Sequence, residues 1–260
     1  MIGIIGYGFV GKAVANSYDM SDVRINDPAH PNLSVSVSDI IDCEAIYVCV
    51  PTPPISITGG CDTTILHEVL YSLNELQYRG MVIIKSTAPP PFFNVAKHLF
   101  NLKMAYVPEF LTQANSNNDY LNPHRILVGC ESNFDEQVYD ILKKSRINFD
   151  GNYEFCTMEE ASFIKYLCNT QLAMKVIINN EFKALADSMN IDWEQIATLA
   201  SGDYRLGATH WQVPGPDGLG GYGGACFPKD VDALLCEAKR KNVKMVMLET
   251  ARQTNKALRK

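Results

Sequence analysis

The first eleven residues restrict the fold most. An apolar stretch over 1–5 runs into Gly6-Tyr7-Gly8-Phe9-Val10-Gly11, and a helical pattern follows over 12–18. A Gly-x-Gly-x-x-Gly spacing is weak evidence alone, but between a strand and a helix it has a mechanism. The glycines allow a tight turn, leave space for a pyrophosphate and let helix pack on strand, while the helix N-terminus faces the phosphates. A second strand over 23–25 leads to Asp27, about twenty residues beyond the first glycine. A carboxylate there binds ribose hydroxyls and repels a 2′-phosphate, which favours NAD over NADP. Gly6, Gly8, Phe9, Val10, Gly11 and Asp27 are therefore the expected first contacts of a bound NAD.

The following apolar runs keep an α/β rhythm. Strands are expected over 45–50, 81–85, 104–107 and 126–129, with 147–149 closing the sheet, and an amphipathic helix over 66–77. Open α/β sheets bind ligands outside the carboxyl ends of their strands. Thr52, Thr87 and Glu109 stand at three such ends. Near residue 155 the pattern changes. Thr157-Met158-Glu159-Glu160 is a capping box opening a helix that runs to about 189. Further helices are expected over 192–200, 230–241 and 243–258, the last ending in Arg252, Lys256, Arg259 and Lys260, which read as a solvated helix end. The expected architecture is a Rossmann-like, mostly parallel, doubly wound sheet over 1–155. An all-helical domain with a long central helix follows over 156–260.

The second candidate site is Gly220-Gly221-Tyr222-Gly223-Gly224-Ala225-Cys226-Phe227-Pro228-Lys229-Asp230. Glycines permit close wrapping around a ligand. A thiol becomes nucleophilic when positive charge or a helix N-terminus lowers its pKa; Lys229 and a helix starting near Asp230 offer both. Lys165 and Asn169, four residues apart, share one helical face. The formal net charge of −6 argues against nucleic-acid binding through bulk electrostatics. Residues 1–5 are too short for a signal peptide or membrane span, so no membrane association is expected. The eight cysteines form no Cys-x-x-Cys pair or His/Cys cluster, so reduced thiols in a cytoplasm, without a metal, are expected.

Together these residues resemble the UDP-glucose/GDP-mannose dehydrogenase family. The matching motifs are Gly6-x-Gly8-x-x-Gly11 with Asp27, Val50-Pro51-Thr52-Pro53, Lys85-Ser86-Thr87-Ala88-Pro89, Pro108-Glu109-Phe110-Leu111 and Pro123-His124-Arg125-Ile126. Lys165-x-x-x-Asn169, Asn180-Glu181, Asp203-x-Arg205 and Gly223-Gly224-Ala225-Cys226-Phe227-Pro228-Lys229-Asp230 follow in family order. The resemblance implies a two-step, four-electron oxidation of a nucleotide sugar's primary alcohol, most closely UDP-glucose to UDP-glucuronate for polysaccharide biosynthesis. It implies Cys226 as nucleophile, Lys165 and Asp230 as proton acceptors through a water, and Lys165 and Asn169 as oxyanion stabilisers. Glu109 would activate water. Thr52, Thr87, Gln113 and Lys229 match cofactor positions. Glu109, Phe110, Leu111, Lys165, Asn169, Arg205 and the loop from Gly215 to Leu219 with Gly223 match substrate positions.

A homodimer through the central helix is also implied. Family members are expected to be longer, with a second Rossmann-like domain after that helix, where this sequence ends. Gln113 stands where a second glutamate is common, and the lysine often following the aspartate is missing. Two other functions are compatible with parts of the pattern. A single-step 3-hydroxy-acid dehydrogenase shares the Lys-x-x-x-Asn helix but has no use for Cys226. A non-catalytic NAD-binding remnant need not keep Glu109, Lys165, Asn169, Cys226 and Asp230 together.

Overall fold

Four of the strands are apolar on both sides, the signature of a parallel sheet covered on two faces. The computed structural model describes residues 1–56, 58–112 and 115–260. It opens with β1 (Ile2–Ile5), α1 (Phe9–Asn16), β2 (Val23–Asn26), β3 (Ala45–Val48), α2 (Thr64–Glu75), β4 (Met81–Ile84) and α3 (Pro90–Leu99). β5 (Lys103–Tyr106), α4 (Ser116–Leu121), β6 (Ile126–Cys130), α5 (Asp135–Lys143) and β7 (Tyr153–Cys156) complete the sheet region. The strand order is β2-β1-β3-β4-β5-β6-β7. All neighbours are parallel except β5 and β6, which pair antiparallel.

Alternate side chains of the central strands enter different cores. Ile46, Val48, Val82, Ile84 and Tyr106 pack with Leu66, Leu70 and Leu73 of α2 and Phe93 of α3. Ile4, Tyr47, Ile83 and Val128 pack with Ala13 and Val14 of α1 and Val138 and Ile141 of α5. That two-residue period places helices on both faces, as in a doubly wound fold. The chain reverses its direction across the sheet between β1 and β3, the kind of switch point at which such sheets bind ligands.

The stretch 147–149 is not a strand. The Asn148 N–H donates to the Leu121 carbonyl at 2.7 Å, so its backbone is committed elsewhere. Ile147 and Phe149 instead pack on the second core as loop residues, with the Phe149 and Tyr153 ring centroids 5.5 Å apart. β7 closes the sheet, and its half-exposed sequence Tyr-Glu-Phe-Cys gives no apolar run to read.

The helical region consists of α6 (Met158–Ser188), α7 (Trp193–Ala200), α8 (Phe227–Arg240) and α9 (Val246–Leu258). The capping box is present: the Glu160 N–H donates to Thr157 Oγ1 at 3.2 Å, and the Thr157 N–H to Glu160 Oε2 at 2.9 Å. Two compact units divide within α6. One comprises Met1–Pro53 and Asp62–Lys165, the other Pro54–Cys61 and Tyr166–Lys260. The second has its own core, in which Tyr166, Ala173 and Ile177 of α6 pack with Val231 and Leu234 of α8 and Leu248 and Ala251 of α9. Among the described residues no helix is long and apolar enough to cross a membrane.

Candidate functional site

In the first unit, Gly6 follows β1 with φ +91°, a conformation L side chains rarely adopt. Its N–H donates to the Asn26 carbonyl at 2.9 Å, fixing the turn against β2. A Cβ at Gly11 would collide with the Gly6 carbonyl oxygen, so α1 sits as close to β1 as it does only because this residue is glycine. At Gly8 a Cβ would meet none of the described residues within 4 Å. Gly8 is also the N-cap of α1 and offers no side-chain cap, so the amides of Phe9 and Val10 begin the helix beside open space. Donors at a helix N-terminus and that space suit a pyrophosphate.

Asp27 lies just past β2. Its carboxylate accepts from the Tyr7 N–H, within the glycine turn, and from the Ala29 N–H at 2.7 Å. Each oxygen keeps a second lone pair for a ribose hydroxyl. The residues present therefore fit NAD.

Thr52 and Thr87 are buried beyond the ends of β3 and β4. Glu109 follows β5. Lys165 of α6, only 4% exposed, donates through Nζ to the Glu109 backbone carbonyl. That ammonium is 3.9 Å from Glu109 Oε1, while Oε2 is buried with no hydrogen-bond partner among the described residues. An ionisable oxygen held buried and unpaired costs stability, so its retention calls for an explanation such as a chemical role. The Phe110 ring lies 5.1 Å from Lys165 Nζ and 5.6 Å from the Arg125 guanidinium, and Leu111 packs on the second core. Gln113 lies outside the described residues.

Lys85 was visible only as part of its motif. It is buried at the end of β4, with Nζ 5.2 Å from the Tyr120 ring. Burial pushes its pKa down, against the opposing charge of Glu109 and the Cys49 thiol.

In the second unit, Cys226 is the N-cap of α8, and the Asp230 N–H donates to its carbonyl at 2.9 Å. A thiol at a helix N-terminus lies where the dipole favours thiolate. Asp230 is 1% exposed and accepts from Asn169 Nδ2 at 2.6 Å and Lys229 Nζ at 2.7 Å. Burial opposes the charge on Lys229, but the Asp230 carboxylate outweighs it and the Cys61 and Cys226 thiols add to it, so its pKa is raised.

Arg205 pairs with Asp203 at 2.5 Å and lies largely in solvent. Gly215 and Leu219 close a turn, with the Gly215 N–H donating to the Leu219 carbonyl at 2.9 Å. Gly223 lies beneath the Arg259 guanidinium. The terminal basic residues are not simply a solvated helix end. Arg259 pairs with Asp217 at 2.5 Å, and Arg252 with Asp232 at 3.0 Å and Glu249 at 2.9 Å.

The model of the UDP-glucose/GDP-mannose dehydrogenase family NAD binding domain matches residues 25–145, and that of the family's central domain matches 159–257. A putative UDP-glucose 6-dehydrogenase of Bacillus subtilis is 32% identical over 238 residues, covering 86% of this chain and 54% of the relative. A GDP-mannose 6-dehydrogenase of Pseudomonas aeruginosa is 27% identical over 232 residues, covering 83% and 51%. The chain thus spans about half the length of the curated relatives it matches.

Among solved structures, a UDP-glucose dehydrogenase of Pyrobaculum islandicum superposes with TM-score 0.82 at 22% identity, covering 98% of this chain and 68% of that one. A 3-hydroxyisobutyrate dehydrogenase of Mycobacterium tuberculosis superposes with TM-score 0.74 at 16% identity, covering 97% and 91%. These structural likenesses bear on the fold alone.

Proposed function

The chain belongs to the UDP-glucose/GDP-mannose dehydrogenase family, and from that premise we propose that it oxidises a nucleotide sugar, UDP-glucose first among candidates, by four electrons to the uronate. The observation that carries this reading is the N-cap thiol of Cys226 beside the cluster that Lys229 makes with the buried Asn169 and Asp230. A two-electron hydroxy-acid oxidation would leave that thiol without work.

Bound NAD supplies the hydride acceptor for each oxidation. In the first, the sugar's primary alcohol gives up a hydride and its hydroxyl proton and becomes an aldehyde. Asp230 takes that proton through a water that the Lys165 ammonium helps to hold. The Cys226 sulfur then adds to the aldehyde carbon, forming a C–S bond and a thiohemiacetal whose oxygen Lys165 and Asn169 stabilise. Loss of a second hydride and the hydroxyl proton gives a thioester. Glu109, through its buried Oε2, deprotonates the water that attacks the thioester carbonyl; the C–S bond breaks and the Cys226 thiol is restored with the acid. Arg205 and the Gly215–Leu219 loop with Gly223 would hold the nucleotide sugar. Thr52, Thr87 and Lys229 would contact the cofactor.

Cys226→Ser tests this directly. With UDP-glucose and NAD, the variant should release no UDP-glucuronate above background by mass spectrometry. Normal acid production by the variant would remove Cys226 from the reaction.

A further inference from the structure

The glycine loop before Cys226 is shaped by the last helix. Tyr222 is 3% exposed, and both its backbone groups are bonded to one side chain. Its N–H donates to Asn255 Oδ1 at 2.7 Å, and its carbonyl accepts from Asn255 Nδ2 at 3.1 Å. Asn255 is itself buried, on α9. One residue earlier, the Gly221 N–H donates to Asn180 Oδ1 at 3.1 Å, and Arg259 NH1 donates to the Gly220 carbonyl at 3.3 Å.

Two of the glycines have a steric reason in the same contacts. A Cβ at Gly221 would overlap Asn255 Oδ1, and one at Gly223 would overlap the Arg259 guanidinium. Gly221 also has φ +70°. The Tyr222 ring then meets Phe227, with centroids 6.4 Å apart, and Phe227 adjoins the thiol residue. A buried amide that satisfies a strand-like N–H and C=O pair holds a loop much as a neighbouring strand would.

We propose that Asn255, supported by Arg259, is a positioning residue that fixes the glycine loop from α9 and thereby sets the exposure of the Cys226 thiol. The inference rests on the reading of Cys226 as the nucleophile for its meaning, but its test does not require turnover. Removing the amide leaves the Tyr222 N–H and carbonyl unpaired, and the loop opens locally while α8 stays formed.

The test measures alkylation of each cysteine by iodoacetamide, using peptide mass spectrometry on the wild type, Asn255→Ala and Asn255→Asp. Cys236 on α8 and Cys168 on α6 serve as internal references in the same unit. Asn255→Ala should accelerate alkylation at Cys226 by about fivefold or more and leave Cys236 and Cys168 within about twofold, as local opening requires. Asn255→Asp, which keeps the acceptor and loses the donor, should fall between and carries the test if the alanine variant does not fold. An unchanged or slower rate at Cys226, or an equal rise at all three cysteines, would overturn the proposal. A protein that shows the selective response yet never oxidises UDP-glucose would retain the clamp and lose the proposed reaction.

Discussion

Gly8 and Gly11 lie three residues apart in one motif, yet the structure assigns them opposite consequences. Gly8 has φ −72° and ψ −163°, an extended conformation open to any L residue, and a Cβ there meets none of the described residues within 4 Å. Gly8→Ala should leave stability within about 0.5 kcal/mol, as at an unhindered surface position. The methyl group would occupy the space assigned to the pyrophosphate, and a loss of about tenfold or more in NAD affinity, about 1.4 kcal/mol, is expected.

A Cβ on Gly11 would lie 2.0 Å from the Gly6 carbonyl oxygen, within a buried contact. Relieving that overlap means moving α1 off β1, and overpacking of this kind costs about 1–3 kcal/mol. For a unit of this size each kcal/mol lowers Tm by about 2–4 °C. Gly11→Ala should therefore melt several degrees lower, in a thermal scan without cofactor. Isothermal titration with NAD completes the comparison. A Gly8→Ala variant that binds NAD like the wild type, or a Gly11→Ala variant that melts like it, would refute this division of roles.

Two other predictions concern the second unit and α6. Burial, with the nearby Lys175 charge, holds the His210 pKa below its ordinary value. The unfolded chain therefore takes up the proton first, so the contribution to stability is complete above about pH 6.5 and is lost as pH falls below it. His210→Gln should flatten that part of the Tm–pH curve; an unchanged slope would assign it to another group. Phe163, Leu167, Ile178, Phe182 and Leu185 are exposed on α6 at steps of three and four within each group, an apolar stripe suited to a second copy of the chain. Light scattering should give a dimer mass for the wild type and a monomer mass for Phe182→Glu, and a monomeric wild type would dismiss the interface.

Much of the fold could be read in the sequence because two periodicities and one turn carry it. The apolar runs of β1, β3, β4 and β6 are buried on both faces and need no tertiary knowledge to recognise, and the Thr157–Glu160 box marks the start of α6 to the residue. The last strand was not legible: Ile147 and Phe149 are apolar, but residues 147–149 spend their backbone hydrogen bonds on Leu121 and on themselves, while β7 is a half-exposed edge. The residues proposed to carry the chemistry, Asp230 and Lys165 among them, stood out in the sequence because a motif names them. Side chains whose role is to hold other residues did not. Arg259 reads as part of a solvated helix end and Asn255 gives no signal, because their partners, Asp217 and Tyr222, lie 42 and 33 residues away in sequence. Lys85 gave no sign of burial, since nothing local distinguishes a lysine enclosed at a strand end from a solvated one.

The central claim is that this chain couples its thiol to two successive oxidations of one substrate. Stoichiometry tests it most directly: limiting UDP-glucose is incubated with excess NAD and the purified protein, and NADH is counted by absorbance at completion against UDP-glucuronate by mass spectrometry. Two NADH for each sugar consumed, with matching acid, is the predicted result. One NADH for each sugar, with an aldehyde or ketone as product, would contradict it.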